Sequence, residues 1–526
     1  MASTTTYGET RNMRRRIVHS LAAASLVLLL GGCATVEPKG GFNDVQTLVS
    51  ERSGEFLHWN QGTPEDAAVD ERVRELLNGE LTADAATQIA LLRNQSLQAT
   101  YETLGVSQAD MVQAGLLKNP VFSGTVRPVV RGPSGTNVEL DLAQNFLQLL
   151  MLPARKKLAR TQFEEAKFRV AHEVLAFASE VRGAYYALQA ARHVVQILRT
   201  ATDAAGVSAE LAERLHEAGN VSDLTLAREQ SLYEDARLKL MMADADVTPL
   251  REQLSRLMGL RGDEGAWRVP AQLPPLPGAL PAADELERLA LSKRLDLRAA
   301  AQEIEALRQA LSLARFYRWI PFAEVGVSSE RDPDGKGGWV MGPSLSLELP
   351  IFDWGQAKLA RLEAQLRQAE KHLSAIELDM RSRVREAKAR LELARALVER
   401  YRSTVVPLRE RIVTLSLQEY NFMLIGAFEL LSAKRDEIDA YKGYVDALRD
   451  FWLAYADLRE AVGGEFPVGE PEHISPPSPV REPSAPPMHD HHGHIEAETG
   501  DDRMQRREEP PPAHDHSPKH HEQGGK

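Results

Sequence analysis

Two histidine–glutamate pairs, His172-Glu173 and His216-Glu217, begin the string that a zinc hydrolase carries on a helix, where a second histidine four positions on completes the ligand pair. Position 176 is Ala and position 220 is Asn, so neither string is completed. The chain has one cysteine, Cys33, which excludes an intrachain disulfide framework and a cysteine-based zinc cluster. No glycine-rich phosphate loop is present, and nothing else groups a nucleophile with a base. The sequence therefore reads as a non-enzyme with no built-in cofactor. Two other sets of polar residues remain. One is the C-terminal set Met488, His489, His491, His492, His494, His514, His516, His520 and His521, whose imidazoles and thioether suit loose binding of Cu or Zn. The other is a set of acids and serines at alternate positions, Glu139 and Asp141 in one segment and Ser344, Ser346 and Glu348 in another.

Alternation is the period of a β-strand. From Trp339 to Leu349 one parity is apolar (Trp339, Met341, Pro343, Leu345, Leu347, Leu349), and the other holds Gly342, Ser344, Ser346 and Glu348. A strand of about 10 residues with one apolar face has the length and pattern of a membrane-barrel strand. By the same parity Leu140 and Leu142 face lipid, while Glu139 and Asp141 face a lumen. The arrangement occurs twice. Leu116 to Phe122 with Pro120 is matched by Phe316 to Phe322 with Pro321, and Leu158-Ala159-Arg160 by Leu359-Ala360-Arg361, each pair of landmarks 201 residues apart. The chain is a tandem duplication.

The elements follow in order. Residues 1–32 form a targeting segment: Arg14-Arg15-Arg16, then an apolar run from Ile17 to Leu30 too short to span a bilayer. Met13 can serve as the start as well as Met1. Leu30-Gly31-Gly32-Cys33 resembles a bacterial lipoprotein signal, which implies cleavage before Cys33, acylation of its thiol and, with Ala34 next, the outer membrane. Removing four Arg and one Glu takes the formal charge from −12 to −15, which argues against a nucleic-acid partner. Residues 33–80 read as an extended arm. A first repeat, 81–258, runs as a helix from Thr82 to about Lys118, a hairpin at 121–146, a breaker at Pro153, a long helix from Ala154 to about Ala218, and a shorter helix capped by Ser222 and ending near Met258. A Pro-rich connector, 259–281, joins it to a second repeat, 282–464: helix 282–319, hairpin 322–349, long helix 356 to about 420, shorter helix 427–462. Residues 465–526 read as a disordered Pro/His-rich tail.

Both long helices carry a coiled-coil seam. In the first it is Val174, Phe177, Val181, Ala184, Leu188, Ala191, Val195 and Leu198. In the second it runs Leu359, Leu362, Leu366, Ala369, Leu373, Ile376, Met380, Val384, Ala387, Leu391, Ala394 and Val398, with two successive four-residue steps at 376–384. A helix of about 65 residues is roughly 98 Å long, so each can lie beside two shorter helices stacked end to end. Four strands per chain cannot close a barrel, and open edges are not tolerated in lipid, so chains must pool strands. Two copies give eight and a lumen filled by side chains; three give twelve and room for a wet pore, which the acidic, small-residue inner parity fits better.

This duplicated pattern, over about residues 80–464, resembles the bacterial outer-membrane efflux proteins, the TolC-like channels. The fold class is then mainly α with a small β part. The resemblance implies a homotrimer with a 12-strand outer-membrane barrel on a periplasmic α-helical barrel, contacting outer-membrane lipid. It implies a periplasmic adaptor protein and an inner-membrane pump of the RND type. The tunnel tip corresponds to the breaks at His216–Leu224 and Glu419–Leu430. Entrance residues carried over are Asp223, Met423, Glu429 and Ser432; Met423 replaces the family's usual glycine, and Ser432 sits where a second acid can occur. The function expected is a passive conduit opened at its tip by its partners, with heavy-metal cations as cargo. A periplasmic coiled-coil adaptor or structural lipoprotein without a pore is the alternative.

Overall fold

The computed structural model describes residues 36–128, 136–261, 267–319, 322–331 and 338–469. Cys33, Met488 and all the tail histidines from His489 to His521 lie outside them, as do the turns at 132–135 and 332–337.

The first half contains α1 (Phe42–Ser53), α2 (Pro64–Leu77), α3 (Ala83–Arg93), α4 (Gln95–Ala114), β1 (Val121–Pro128), β2 (Thr136–Asn145), α5 (Phe146–Glu217) and α6 (Asp223–Leu257). The second contains α7 (Ala283–Lys293), α8 (Leu295–Tyr317), β3 (Ala323–Arg331), β4 (Trp339–Leu347), α9 (Gln356–Arg400), a π-helical turn (Tyr401–Val405), α10 (Val406–Asn421) and α11 (Ala427–Val462). The halves share one antiparallel sheet in the order β1-β2-β3-β4. The molecule is mainly helical with a small sheet, as the periodicities require.

The seams supply much of the packing, joined in α5 by Val170, Ala178, Ala190 and Ile197 from outside the seam, while Leu359, Leu362 and Leu366 near the start of α9 are only half-buried. All seven buried residues of α9, from Ala369 to Val398, lie on its predicted seam. In α5, Val170, Val174 and Ala178 pack with Leu97, Tyr101 and Leu104 of α4, and Val181, Ala184 and Leu188 with Leu254 and Leu257 of α6. Ala190 and Ile197 belong with Tyr441, Tyr444, Phe451 and Trp452 of α11. One long helix is thereby the spine for both halves.

Four readings are corrected. The arm at 33–80 is not extended. It holds α1 and α2, and Phe42, Val45 and Val49 bury against Trp59 and Tyr101; the apolar residues are too few to show a period but enough to fill one groove. Pro153 is no breaker, because α5 begins at Phe146 and carries it in its interior. The expected single helices at 82–118 and 282–319 are each two. Asn94 and Arg294 take extended backbone, with ψ of 122° and 126°, and each reaches across to close a shorter helix. Asn94 Nδ2 donates to Leu257 O at 2.9 Å and its Oδ1 caps α4 at Leu97 N; Arg294 Nη1 donates to Ala461 O at 3.3 Å. The abutting helix ends turn at left-handed Gly259 and Gly463, where a Cβ at Gly259 would stand 2.7 Å from Arg93 O. Finally, the tail does not begin at 465: Phe466 is buried beside Tyr455, and Gly469 exchanges backbone hydrogen bonds with Gly278 and Ala279.

Asn94→Ala removes the cap of α4 and strands the Leu257 carbonyl at the end of α6, while Arg256 O keeps the Gly259 N–H. A loss of about 1–2 kcal/mol is expected, read as a lower urea midpoint with an unchanged slope.

Candidate functional site: the strand faces and the two helical turns

The strand register sorts every side chain to one of two faces. Ser123, Asp141 and Ser328 lie side by side, as do Thr125, Glu139 and Glu330, and then Ala143, Gly326 and Ser344. Phe122, Leu142, Val327 and Pro343 occupy the other face, with Val325 beside Leu345. Glu139, Asp141, Ser344 and Ser346 therefore share one polar face, as their parity predicts. Glu348 continues that parity just past β4, its N–H donating to Phe322 O. Glu139 is paired with Arg127 at 3.2 Å, and Glu330, directly opposite, accepts from Asn137 Nδ2 at 2.7 Å. These contacts relieve what would be repulsion between facing carboxylates.

Among the described residues nothing covers either face. Phe122, Val126, Leu142, Val325, Leu345 and Leu347 are at least half or nearly half exposed, and β1 and β4 have free edges. Such a sheet is unstable in water and in lipid alike unless its edges are joined.

Each long helix leaves the sheet and ends in a tight turn. In the first, Gly219 N donates to His216 O and Asn220 N to Leu215 O; in the second, Met423 N donates to Tyr420 O and Leu424 N to Glu419 O. The two turns are the same structure. Gly219 has φ +74° and Met423 φ +60°, so a methionine holds a left-handed position that glycine occupies in the other copy. The offset between halves, 201 residues at Leu158 and Leu359, has become 204 at Gly219 and Met423. One extra residue is visible as the π turn, where Val406 N bonds back to Tyr401 O just before Pro407, which has no N–H to give.

The residues expected to line the entrance sit at these turns without meeting. Asp223 opens α6 and accepts from His216 Nε2 at 2.6 Å. Glu429 lies exposed in the first turn of α11, and Ser432 is half-buried one turn further on. Both acids also stand where a helix N-terminus favours negative charge. The second turn is apolar: Phe422, Met423 and Leu424 are 77%, 93% and 72% exposed. The first, Ala218 to Ser222, is mostly small or polar. Met423→Gly is expected to raise stability by about 1 kcal/mol by relieving the left-handed strain, measured as a higher melting temperature in detergent.

His172, one of the two incomplete zinc strings, is half-buried in a crevice with Arg294, Arg383, Asp457 and Glu460. Burial pushes its imidazole below the ordinary range, and pushes the carboxyl of Glu460 up, with Asp457 adding to the effect. Among the described residues no three His, Cys, Asp or Glu side chains stand close enough to hold a metal ion.

A family model described as outer membrane efflux protein matches residues 86–260 and 286–464. The chain belongs to that family. Its two matched stretches are the two repeats, so the duplication is the family's own architecture. The chain is similar to the cobalt-zinc-cadmium resistance protein CzcC of Cupriavidus metallidurans, 24% identical over 298 residues that cover 56% of this chain and 68% of that one. Among solved structures, the fold is that of CusC, with a TM-score of 0.61 at 16% identity, covering 73% of this chain and 92% of that one. It is equally that of VceC from Vibrio cholerae, with a TM-score of 0.60 at 16% identity, covering 73% and 97%. An outer membrane efflux channel is a passive path and not an enzyme, in keeping with the missing catalytic groups. The membership also disposes of the alternative of a poreless adaptor.

Sequence reasoning missed the two arm helices, the breaks at Asn94 and Arg294, and the π turn. Pro407 was a signal for the last of these.

Proposed function

We propose that three copies of this chain join their four-stranded sheets edge to edge into a 12-strand outer-membrane barrel that exports heavy-metal cations. The observation that carries this reading is the open sheet with one polar and one apolar face, bounded by the free edges of β1 and β4. Twelve strands leave a water-filled lumen, and Glu139, Asp141 and Glu330 on the polar face favour cations within it. The likeness to the cobalt-zinc-cadmium resistance protein supports the cargo. The turns at Gly219 and Met423 meet a periplasmic adaptor, which links the channel to an inner-membrane pump of the RND type. Opening is a population shift set by how much better the adaptor binds the open turns than the closed ones. Cys33 carries the acyl chains that tether the mature chain. Met488 and the tail histidines from His489 to His521 bind Cu or Zn loosely on the way out.

The test is conductance across a planar bilayer together with metal tolerance in cells lacking their own channel. Reconstituted protein should pass ions and prefer cations, and the gene should restore tolerance to cobalt, zinc or cadmium. A closed bilayer would overturn the conduit, and restored drug tolerance without metal tolerance would overturn the cargo. Deleting residues 471–526, past the packed Phe466, should lower metal tolerance; unchanged tolerance would reduce the tail to a spacer. Cys33→Ser should abolish labelling by radioactive palmitate.

A further inference from the structure

The junction between strands and helices carries a chemistry that the conduit does not use. The antiparallel register brings the start of β1, the end of β2, the start of β3 and the end of β4 to one level. Tyr317 Oη, donating to Leu150 O at 3.3 Å, joins the two halves there. Immediately below the strands the surface is apolar and aromatic: Phe316 is 76% exposed, Ile351 72%, Phe352 91% and Trp319 57%. Trp319 and Trp354 stack with centroids 5.9 Å apart. The Arg318 guanidinium lies 4.4 Å from the Trp319 ring centroid and 5.5 Å from that of Trp354. Among the described residues no carboxylate pairs with it.

The charge around this belt is at odds with the chain as a whole. Across residues 116–120, 146–160, 315–319 and 349–361 there are nine Lys or Arg and a single acid, Asp353, in a protein of net charge −12; Glu348 and Glu363 border these stretches, and Glu363 pairs with Arg315. The Asp353 carboxylate is engaged by the Gly355 N–H. Lys156, Lys157 and Lys358 are exposed, and among the described residues no ion pair holds any of them. Tryptophans at the level of the headgroups with cations just outside are the arrangement that matches an anionic lipid surface.

We propose that this collar binds the phosphate headgroups of anionic phospholipids in the periplasmic leaflet of the outer membrane, with Arg318, resting against the stacked pair Trp319 and Trp354, as its principal phosphate ligand. The inference rests on the outer-membrane location that the family gives, and not on trimer closure, cargo or adaptor. An aromatic pair fixes the guanidinium in place, so little side-chain freedom is lost when a phosphate arrives. The occupant is a lipid and not a free anion, because the cations border exposed Phe352 and Ile351, which acyl chains cover. Fixed headgroups at this height also set how deep the barrel sits.

The test uses full-length protein in vesicles, in a Trp339→Phe background that removes the tryptophan on the strand face. Quenching of the remaining fluorescence by brominated phosphatidylglycerol is compared with quenching by brominated phosphatidylcholine. Arg318→Gln is expected to lower the preference for phosphatidylglycerol roughly fivefold, the factor for one surface cation, and Arg318→Lys to restore most of it. Melting in dodecyl maltoside should be the same for Arg318→Gln and wild type. Should Arg318→Gln fail to fold, the double variant Lys156→Gln/Lys157→Gln carries the same expectation. An unchanged lipid preference in these variants would overturn the proposal. So would competition by inorganic phosphate that matches phosphatidylglycerol, which would make the collar a site for free anions.

Discussion

Arg182→Met is expected to destabilise the helical body by about 3–5 kcal/mol, because it leaves a carboxylate buried without its partner. Arg182 and Glu55 are 6% exposed each, and Arg182 Nη2 donates to Glu55 Oε1 at 2.7 Å and to Asp84 Oδ1 at 3.0 Å. The pair ties the N-terminal arm to the middle of α5 and to α3. Burial already pushes the Glu55 carboxyl above its ordinary range, and Arg182 pulls it back down. Without Arg182 it rises further. A carboxyl whose folded pKa is raised favours the fold below its unfolded pKa, and that contribution is lost as pH rises through the folded value. The variant's deficit should therefore be largest at neutral pH and shrink as pH falls toward the range where Glu55 is protonated in both states. Denaturant titrations across that range check both size and sign; a deficit independent of pH would mean that lost packing, not the stranded charge, is responsible.

Leu142→Lys is the second large effect. Leu142 lies between Phe122 and Val327 on the apolar face, so a lysine there meets hydrocarbon at a cost of about 2–4 kcal/mol near the bilayer midplane. Asp141→Lys, one residue earlier, places the same charge between Ser123 and Ser328 on the polar face. It should insert normally and shift the conductance from cation preference toward anions. The pair is read as folded fraction in lipid under urea and as reversal potential in a bilayer. Equal damage from both variants would mean that the two faces are not lipid and lumen.

The repeat, the strand faces and the helical seams were legible because each is a period, and a period survives without knowledge of what it packs against. Val384, Leu391 and Val398 could be placed in the core for that reason alone. What stayed hidden depends on contacts distant in sequence. Asn94 reads as an ordinary helix residue until Leu257 O is beside it, and Phe42 or Val49 as a stray apolar residue until Trp59 and Tyr101 form the groove they fill. Arg318 gave no sign of its role, since Trp354 stands 36 residues away and only the closing of the β3–β4 hairpin brings the rings together. At the turns, the identities at Asp223, Glu429 and Ser432 could be read, but a single chain does not bring them together.

The unequal lengths of the two halves have a geometric outcome. The second arm is three residues longer than the first between Leu359 and Met423, and its tip is shod in Phe422, Met423 and Leu424 where the first carries Gly219 and Asn220, so the two tips of one chain differ in chemistry. In the trimer proposed above, these tips form a crown whose teeth alternate between greasy and wet. Six identical guests seated on that crown would have to adopt two different postures, one for each kind of tooth.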